Sequence, residues 1–341
     1  MRARMIFDEW TSGKAMKYAL LALCMWLLCG CERREVTHEN EYTVAEITVT
    51  ADWSGANLDY ENKYGSTLVF YPHDGGSYRQ VLMGDRKGEK VRLSVGTYDV
   101  LLFNRSFNDF GNVAFRGHEA LETFEVYSTK RETRAEGAYE VIVASPERIA
   151  AAVYRDFEVT EDMIGNYTRD AGNVRSAPVL LPLTPLEVTR SLQVKVHIRG
   201  VSNVRSVKCT ISGMPSSLFL SSGALGEEYI TQEFALGNME LSSGSRTDGY
   251  VSNTITVFGF DGKRDHQVAI EALLVDGTTV VEQTLTGVTV TEKDNNGIIG
   301  IYIEGSAPDV MPDVKPEGSS ESGFDASVDG WGEEQEEDIL M

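Results

Sequence analysis

The stretch SLQVKVHIRG, residues 191–200, decides the fold class. Leu192, Val194, Val196 and Ile198 alternate with Gln193, Lys195, His197 and Arg199. Side chains of a strand point to opposite faces in turn, so this order makes one apolar and one polar side. Wound as a helix, the same residues would scatter their apolar groups around the axis. VAEITVTADW (44–53) repeats the scheme, with Ala45, Ile47, Val49, Ala51 and Trp53 on one face. SVKCTISG (206–213) does so again and places Cys209 beside Val207 and Ile211 on the apolar side. TLVFYP (67–72), GTYDVLLFN (96–104), LETFEVYS (121–128), NTITVFGF (253–260), HQVAIEALLV (266–275) and GIIGIYIE (297–304) are further strand candidates. Between them stand Asp74-Gly75-Gly76, Asp261-Gly262, Asp276-Gly277 and Asp294-Asn295-Asn296-Gly297. These residues tolerate the positive φ of tight turns. Strands at this spacing predict an all-β protein of antiparallel β-sandwiches.

One short helix is expected. SPERIAAAVY (145–154) offers Ser145 as N-cap, Pro146 at the first helical position, Glu147 in the first turn and an alanine run behind. Proline marks the domain division. LLPLTPLE (180–187) holds Pro182 and Pro185, and a fresh strand pattern starts at Val188. The exported body is therefore divided into a sandwich over 44–185 and another over 186–305, about seven strands each.

Residues 16–35, MKYALLALCMWLLCGCERRE, read as an export signal. The apolar run is shorter than the roughly 20 residues a spanning helix needs. Lys17 is the positive start, Tyr18 to Leu28 the apolar middle, and Gly30 the small residue before the cut. Residues 1–15 carry Asp8 and Glu9, which a signal lacks, so Met16 is taken as the true start. The expected arrangement is a signal over 1–30 and a tether over 31–43. Three of the four cysteines, Cys24, Cys29 and Cys31, lie in or at the end of the signal. Cys209 is then alone in the body, so the fold depends on its core and not on a disulfide.

The chain of 341 residues carries a net charge of −21, and removing residues 1–30 deletes four basic and two acidic residues, giving −23. A nucleic-acid partner is disfavoured, because neutralising phosphates needs a basic face. From Gly305 onward there are eleven acidic residues and one lysine, so 306–341 reads as a mostly disordered acidic tail. Within it, FDASVDGW (324–331) alternates Phe324, Ala326 and Val328 before Trp331. This is a candidate terminal strand that pairs with its own second domain or with another chain. The tether favours its own domain by effective concentration.

No catalytic chemistry is expected. The five histidines, His38, His73, His118, His197 and His266, are scattered, with no helical pair for a metal. His73 and His266 adjoin Asp74 and Asp265 and read as solvated turn residues. There is no nucleophile elbow, P-loop or dinucleotide fingerprint. No metal and no cofactor is anticipated. The candidate recognition element is NRSFNDFGNVAF (104–115), a long connection with Phe107, Asn108, Phe110 and Asn112. Exposed, its rings could stack on a glycan or meet another host ligand. Buried, they form a satellite core under the loop, the plainer of the two readings.

The tetrad Leu28-Cys29-Gly30-Cys31 resembles the lipobox of bacterial lipoproteins, in which the final cysteine is acylated. That tetrad, Asp52-Trp53, LVFYPHDGG (68–76), SVGTYDVLLFN (94–104), the proline-flanked restart at 182–190 and VDGW (328–331) together resemble the fimbrillin-type lipoproteins of Bacteroidales. More narrowly, they resemble a group in that circle known only as a domain of unknown function. The resemblance implies two transthyretin-like β-sandwiches in tandem, held by a lipid on Cys31 in the outer membrane. It implies an anchor, accessory or tip subunit of a pilus, with other fimbrillin-like subunits as partners. Glu32 is followed by Arg33 and Arg34, which leaves both the cell-surface and the periplasmic face open. A surface lipoprotein binding glycans or host ligands through sandwich loops is the rival reading.

Overall fold

The alternating stretches become strands whose apolar sides close two cores. The structure is a computed structural model that describes residues 43–56, 58, 64–129, 142–167, 169–170, 173–174, 178–295 and 298–318. The signal, Cys31 and the 324–331 segment lie outside the described residues. Up to residue 187 the strands are β1 (Val44–Ala51), β2 (Ser66–Pro72), β3 (Arg79–Met83), β4 (Gly88–Ser94), β5 (Gly96–Asn104), β6 (Val113–Arg116), β7 (Glu125–Ser128), β8 (Ile142–Val143), β9 (Ala150–Val159), β10 (Arg169–Asp170), β11 (Asn173–Val174), β12 (Val179–Leu183) and β13 (Leu186–Glu187). From residue 190 they are β14 (Arg190–Ile198), β15 (Val204–Pro215), β16 (Ser217–Phe219), β17 (Tyr229–Leu236), β18 (Asn238–Leu241), β19 (Gly249–Val257), β20 (Val268–Leu274), β21 (Val280–Thr284), β22 (Thr286–Asn295) and β23 (Ile298–Ser306).

In the first half, β12-β1-β4 packs over the five-stranded sheet β13-β9-β5-β2-β3. Ala45, Ile47 and Val49 of β1 meet Leu68 and Phe70 of β2 and Val100 and Leu102 of β5. Trp53 joins this core and its Nε1 donates to the Arg86 carbonyl at 2.7 Å. The five-stranded sheet is also covered on its other face. There Val69, Tyr71, Leu101 and Phe103 pack under a third layer, β16-β7-β6. Double coverage explains why LVFY and VLLF are continuous apolar runs and not alternating ones. The turn that closes the β6–β7 layer requires Gly117, which has φ 64°. A Cβ there would stand 2.1 Å from the Thr123 carbonyl oxygen.

In the second half, β18-β19-β14-β23-β22 faces β21-β20-β15-β17-β8. Leu192, Val194, Val196 and Ile198 from β14 meet Val207, Cys209 and Ile211 from β15 and Val268, Ile270, Ala272 and Leu274 from β20. Each valine, leucine or isoleucine among them contributes roughly 1.5–3 kcal/mol when fully buried. Both halves share a topological signature. The first strand runs parallel to one near the end of its half, β1 to β12 with Val49 opposite Leu181 and β14 to β23 with Leu192 opposite Ile301. The remaining pairings of these sheets are antiparallel, apart from β8 with β17.

Among the described residues strand pairing crosses residue 185 three times: β13 pairs with β9, Leu186 opposite Ala151, and two pairings span a wider separation. β7 pairs with β16, Val126 opposite Leu218, and β8 lies parallel to β17, Val143 opposite Gln232. Pairing across so wide a sequence separation has no local signal.

Three expectations are corrected. The segment 145–154 is not a helix: Ala150 to Tyr154 open β9, and among the described residues the helical turns are 3₁₀ pieces of three residues. Ala150 and Ala151 sit buried in the middle of a stack of sheets, Ala151 opposite Phe103, and sheet hydrogen bonds override the helix preference of alanine. The start of the acidic tail is also ordered. Ala307 and Met311 are buried in the second core, the Ala307 and Met311 amides donate to the His197 and Arg199 carbonyls, and Glu317 pairs with Arg205. Gly200, at φ 76°, lets the Met311 carbonyl approach to where a Cβ would lie 2.9 Å away. A few apolar residues suffice to order 306–318, because they complete a core that already exists. The stretch expected as a strand over 121–128 begins as a 3₁₀ turn, Leu121–Thr123, and extends only from Glu125.

Candidate functional site

The 104–115 connection is built from its ends. At the β5 terminus Asn104 is buried, and Arg105 takes φ 65°, a conformation uncommon for a non-glycine residue. Ser106 then closes a 3₁₀ turn over Phe107–Asp109: its amide and hydroxyl both donate to Asp109 Oδ2, at 3.1 and 2.7 Å. The Ser106 hydroxyl and amide hold the Asp109 carboxyl below its usual pKa. The far end is tied down by Glu147, which accepts the amides of Gly111 at 2.6 Å and Asn112 at 3.1 Å.

Within this frame the candidate residues separate. Phe110 is buried, its ring 5.3 Å from that of Phe115. Phe107 is half-buried, with ring centroids 5.5 Å from Phe103, 5.0 Å from Phe115 and 5.9 Å from Phe124. The Asn112 side chain donates to the Ser145 carbonyl at 2.9 Å, and the Asn112 carbonyl accepts from Thr129. Of the four, Asn108 alone is exposed. The phenylalanines form a satellite core, in edge-to-face and tilted pairs of the kind aromatic rings favour. What stays open is a hollow of ≈ 350 Å³ lined by Gln80, Phe107, Val113, Ala114, Phe115 and His118.

The histidines occupy sites that sequence neighbours did not indicate. His73 Nε2 lies 3.1 Å from Asp99 Oδ1 and its Nδ1 3.9 Å from Asp156 Oδ1. Asp99 also receives the Asp156 amide at 3.0 Å and Arg155 at 3.2 Å, while Arg155 reaches Glu122 at 2.6 Å. Burial works against the charged form of Asp99, but the Asp156 amide, His73 and Arg155 outweigh it and keep its pKa low. The atoms of His73, Asp99 and Asp156 all lie within 4.8 Å. Yet the two ring nitrogens address different carboxylates and Arg155 already neutralises Asp99, so the group reads as an ion-pair chain and not a chelate. His266 stacks on Phe260 with centroids 4.1 Å apart, its nitrogens 3.0 and 2.9 Å from the Ser212 and Asp261 carbonyls. It fastens a turn to β15. Asp99, Asp156 and Ser212 reach their histidines from other strands and carry no sequence signal, whereas Phe260 and Asp261 lie in the same connection as His266.

The sequence model of the family described as "Domain of unknown function (DUF5119)" matches residues 30–235. No curated protein matches the chain in sequence. Among solved structures, a candidate adhesin from Bacteroides ovatus is 18% identical with a TM-score of 0.49, covering 75% of this chain and 86% of that one. The fimbrial anchor protein Mfa2 from Porphyromonas gingivalis is 10% identical with a TM-score of 0.39, covering 76% and 96%. A fimbrial assembly protein from Parabacteroides distasonis is 10% identical with a TM-score of 0.31, covering 77% and 95%.

Proposed function

The chain belongs to the DUF5119 family, and we propose that this protein is a lipid-anchored, non-enzymatic subunit of a cell-surface adhesion structure: the anchor, accessory or tip component of a pilus. In this reading two tandem sandwiches, divided near residue 185, are displayed from the outer membrane by a lipid on Cys31. The observation that carries it is the run MKYALLALCMWLLCGC joined to an all-β body. Cys209 supports the assignment of Cys31, because Cys209 is sealed in the second core, where burial pushes its thiol up to about 12. Lipid chains add roughly 0.8 kcal/mol per buried methylene, so acylation suffices to hold an acidic protein at a membrane. The stretch from Glu32 to Thr43, fully extended, reaches at most about 40 Å.

Assembly with other fimbrillin-like subunits has a physical basis in the sheet edges. The edge strand β18 is exposed along its whole length, with Met239 and Leu241 turned to solvent. An added strand would satisfy its outer amides and carbonyls and cover those side chains. The 324–331 segment, with Phe324, Ala326, Val328 and Trp331, is proposed to pair with its own second sandwich.

Metabolic labelling with an alkyne-tagged fatty acid tests the anchor. The native chain should take up label and fractionate with outer membranes, whereas Cys31→Ala should do neither; label retained by that variant overturns the assignment. Affinity purification from native membranes tests assembly. Recovery of other fimbrillin-like chains supports the role, and purification of the protein alone under crosslinking contradicts it. A second reading, ligand capture through the 104–115 connection, is favoured by one observation. Phe107 keeps part of its ring over the hollow beside Asn108, although Phe110 and Asn112 are committed to packing and backbone bonds.

A further inference from the structure

We infer that the seam between the β6–β7 layer and the second sandwich is a binding site for a short neutral oligosaccharide. Three strand ends converge there. The Ser128 amide donates to the Ser216 carbonyl and the Ser216 amide to the Glu228 carbonyl, both at 2.9 Å. They enclose a cavity of ≈ 580 Å³ lined by Arg116, Tyr127, Val143, Ser216, Glu228 and Tyr229, among others. That volume lies within the roughly 300–1,000 Å³ of small-ligand pockets, which favour junctions between packed units.

Ser216 points to a ligand. It is only 6% exposed, both its backbone groups are engaged, and its hydroxyl has no hydrogen-bond partner among the described residues. Buried hydroxyls are normally bonded. The hydroxyl has almost no open surface of its own, so a sugar hydroxyl in the cavity would exchange hydrogen bonds with Ser216 Oγ once that side chain turns to another staggered rotamer.

The walls fit a sugar. Tyr229 is held rigid by its hydroxyl bond to Asp261 at 3.0 Å and by the Arg264 guanidinium 3.5 Å from its ring centre. Tyr127 has Arg116 5.1 Å from its ring centre. The ring faces and edges that these guanidinium groups leave uncovered would meet the C–H groups of a pyranose, and the lining Arg116 and Glu228 would take hydroxyls. Charge selects a neutral ligand. Arg116 is already neutralised by Glu125, with Nε–Oε2 2.5 Å and Nη2–Oε1 3.0 Å, and Glu228 adds a carboxylate to the wall. A polyanion would be repelled.

The site is separate from the Phe107 hollow and does not rest on the pilus reading: loss of partner subunits leaves it intact, and loss of sugar binding leaves assembly intact. The test is saturation-transfer NMR and calorimetric titration of the full chain, solubilised from membranes, with maltotriose, cellotriose, mannotriose and chitotriose. At least one is expected to bind. Tyr229→Ala should weaken it at least about tenfold and Ser216→Ala about fivefold. Circular dichroism checks each fold, and Glu228→Gln replaces Tyr229→Ala should the latter unfold. The inference is overturned if none of the four gives a signal at about 5 mM. It is equally overturned if an extended peptide binds where no sugar does, or if Phe107→Ala abolishes binding that Tyr229→Ala and Ser216→Ala preserve.

Discussion

The side-chain carbonyl of Asn104 accepts the backbone amide of Ala150 at 2.9 Å, while its amide donates to the Arg148 carbonyl at 3.0 Å. The last residue of β5 thereby fixes where β9 begins. It uses the very N–H and C=O groups that a helix over 145–154 would need for itself. Asn104→Ala leaves buried backbone groups unpaired and is expected to cost about 2–3 kcal/mol, read as a lower urea midpoint with unchanged slope.

Phe103 and Phe107 belong to one aromatic cluster but differ in exposure. Phe103 is fully buried, so Phe103→Ala should destabilise by about 3–5 kcal/mol. Phe107→Ala, at a half-exposed ring, should cost about 1–2 kcal/mol. Equal losses in thermal melts would mean that Phe107 is wholly core and unavailable to a ligand.

Met311 anchors the first part of the tail with 2% exposure. Met311→Ala is expected to lose about 2–3 kcal/mol. Ending the chain after Gly305 should lose more, because it also removes the Ala307 and Glu317 backbone bonds. Differential scanning calorimetry of the two variants checks the order.

Acid should weaken the fold through paired carboxylates. The Arg116 hydrogen bond, opposed by burial, holds Glu125 below its ordinary pKa, and the Thr279 hydroxyl and the Thr278 and Thr279 amides bring Asp276 to about 2. A carboxyl depressed in the folded state adds stability above its unfolded pKa of about 4, and that stability is lost as pH falls through the folded value. The gap in urea midpoint between the native chain and Asp276→Asn should therefore be constant above about pH 5 and close between about pH 4 and pH 2.

Cys209 should be silent towards thiol reagents. Its sulfur is buried among Val207, Ile211 and their facing strands, and the raised pKa leaves almost no thiolate at neutral pH. Maleimide labelling should appear only above the unfolding midpoint in denaturant. Labelling in the native state would place Cys209 outside the core.

Much of the fold is legible from local patterns. β5 spans the residues of GTYDVLLFN, and β14, β15 and β20 follow their alternating runs, because a half-buried strand records its two environments in every other residue. The aromatic candidates were legible as residues but not as a site. Phe107, Phe110 and Phe115 look alike in sequence, and only the layer above the β5 face decides which ring is covered. The seam cavity had no sequence signal, since Ser216, Tyr127 and Val143 come from segments far apart in the chain.

By itself the sequence determined an acidic, almost wholly strand-forming body and one cysteine inside it, because composition and period are written residue by residue. Only the tertiary structure decided that Ala150 opens a strand, that Met311 closes a core and that strands pair across residue 185. Those outcomes depend on which surfaces are left uncovered once neighbouring elements have packed. Burial and hydrogen-bond satisfaction between distant segments settle them, and local preference does not.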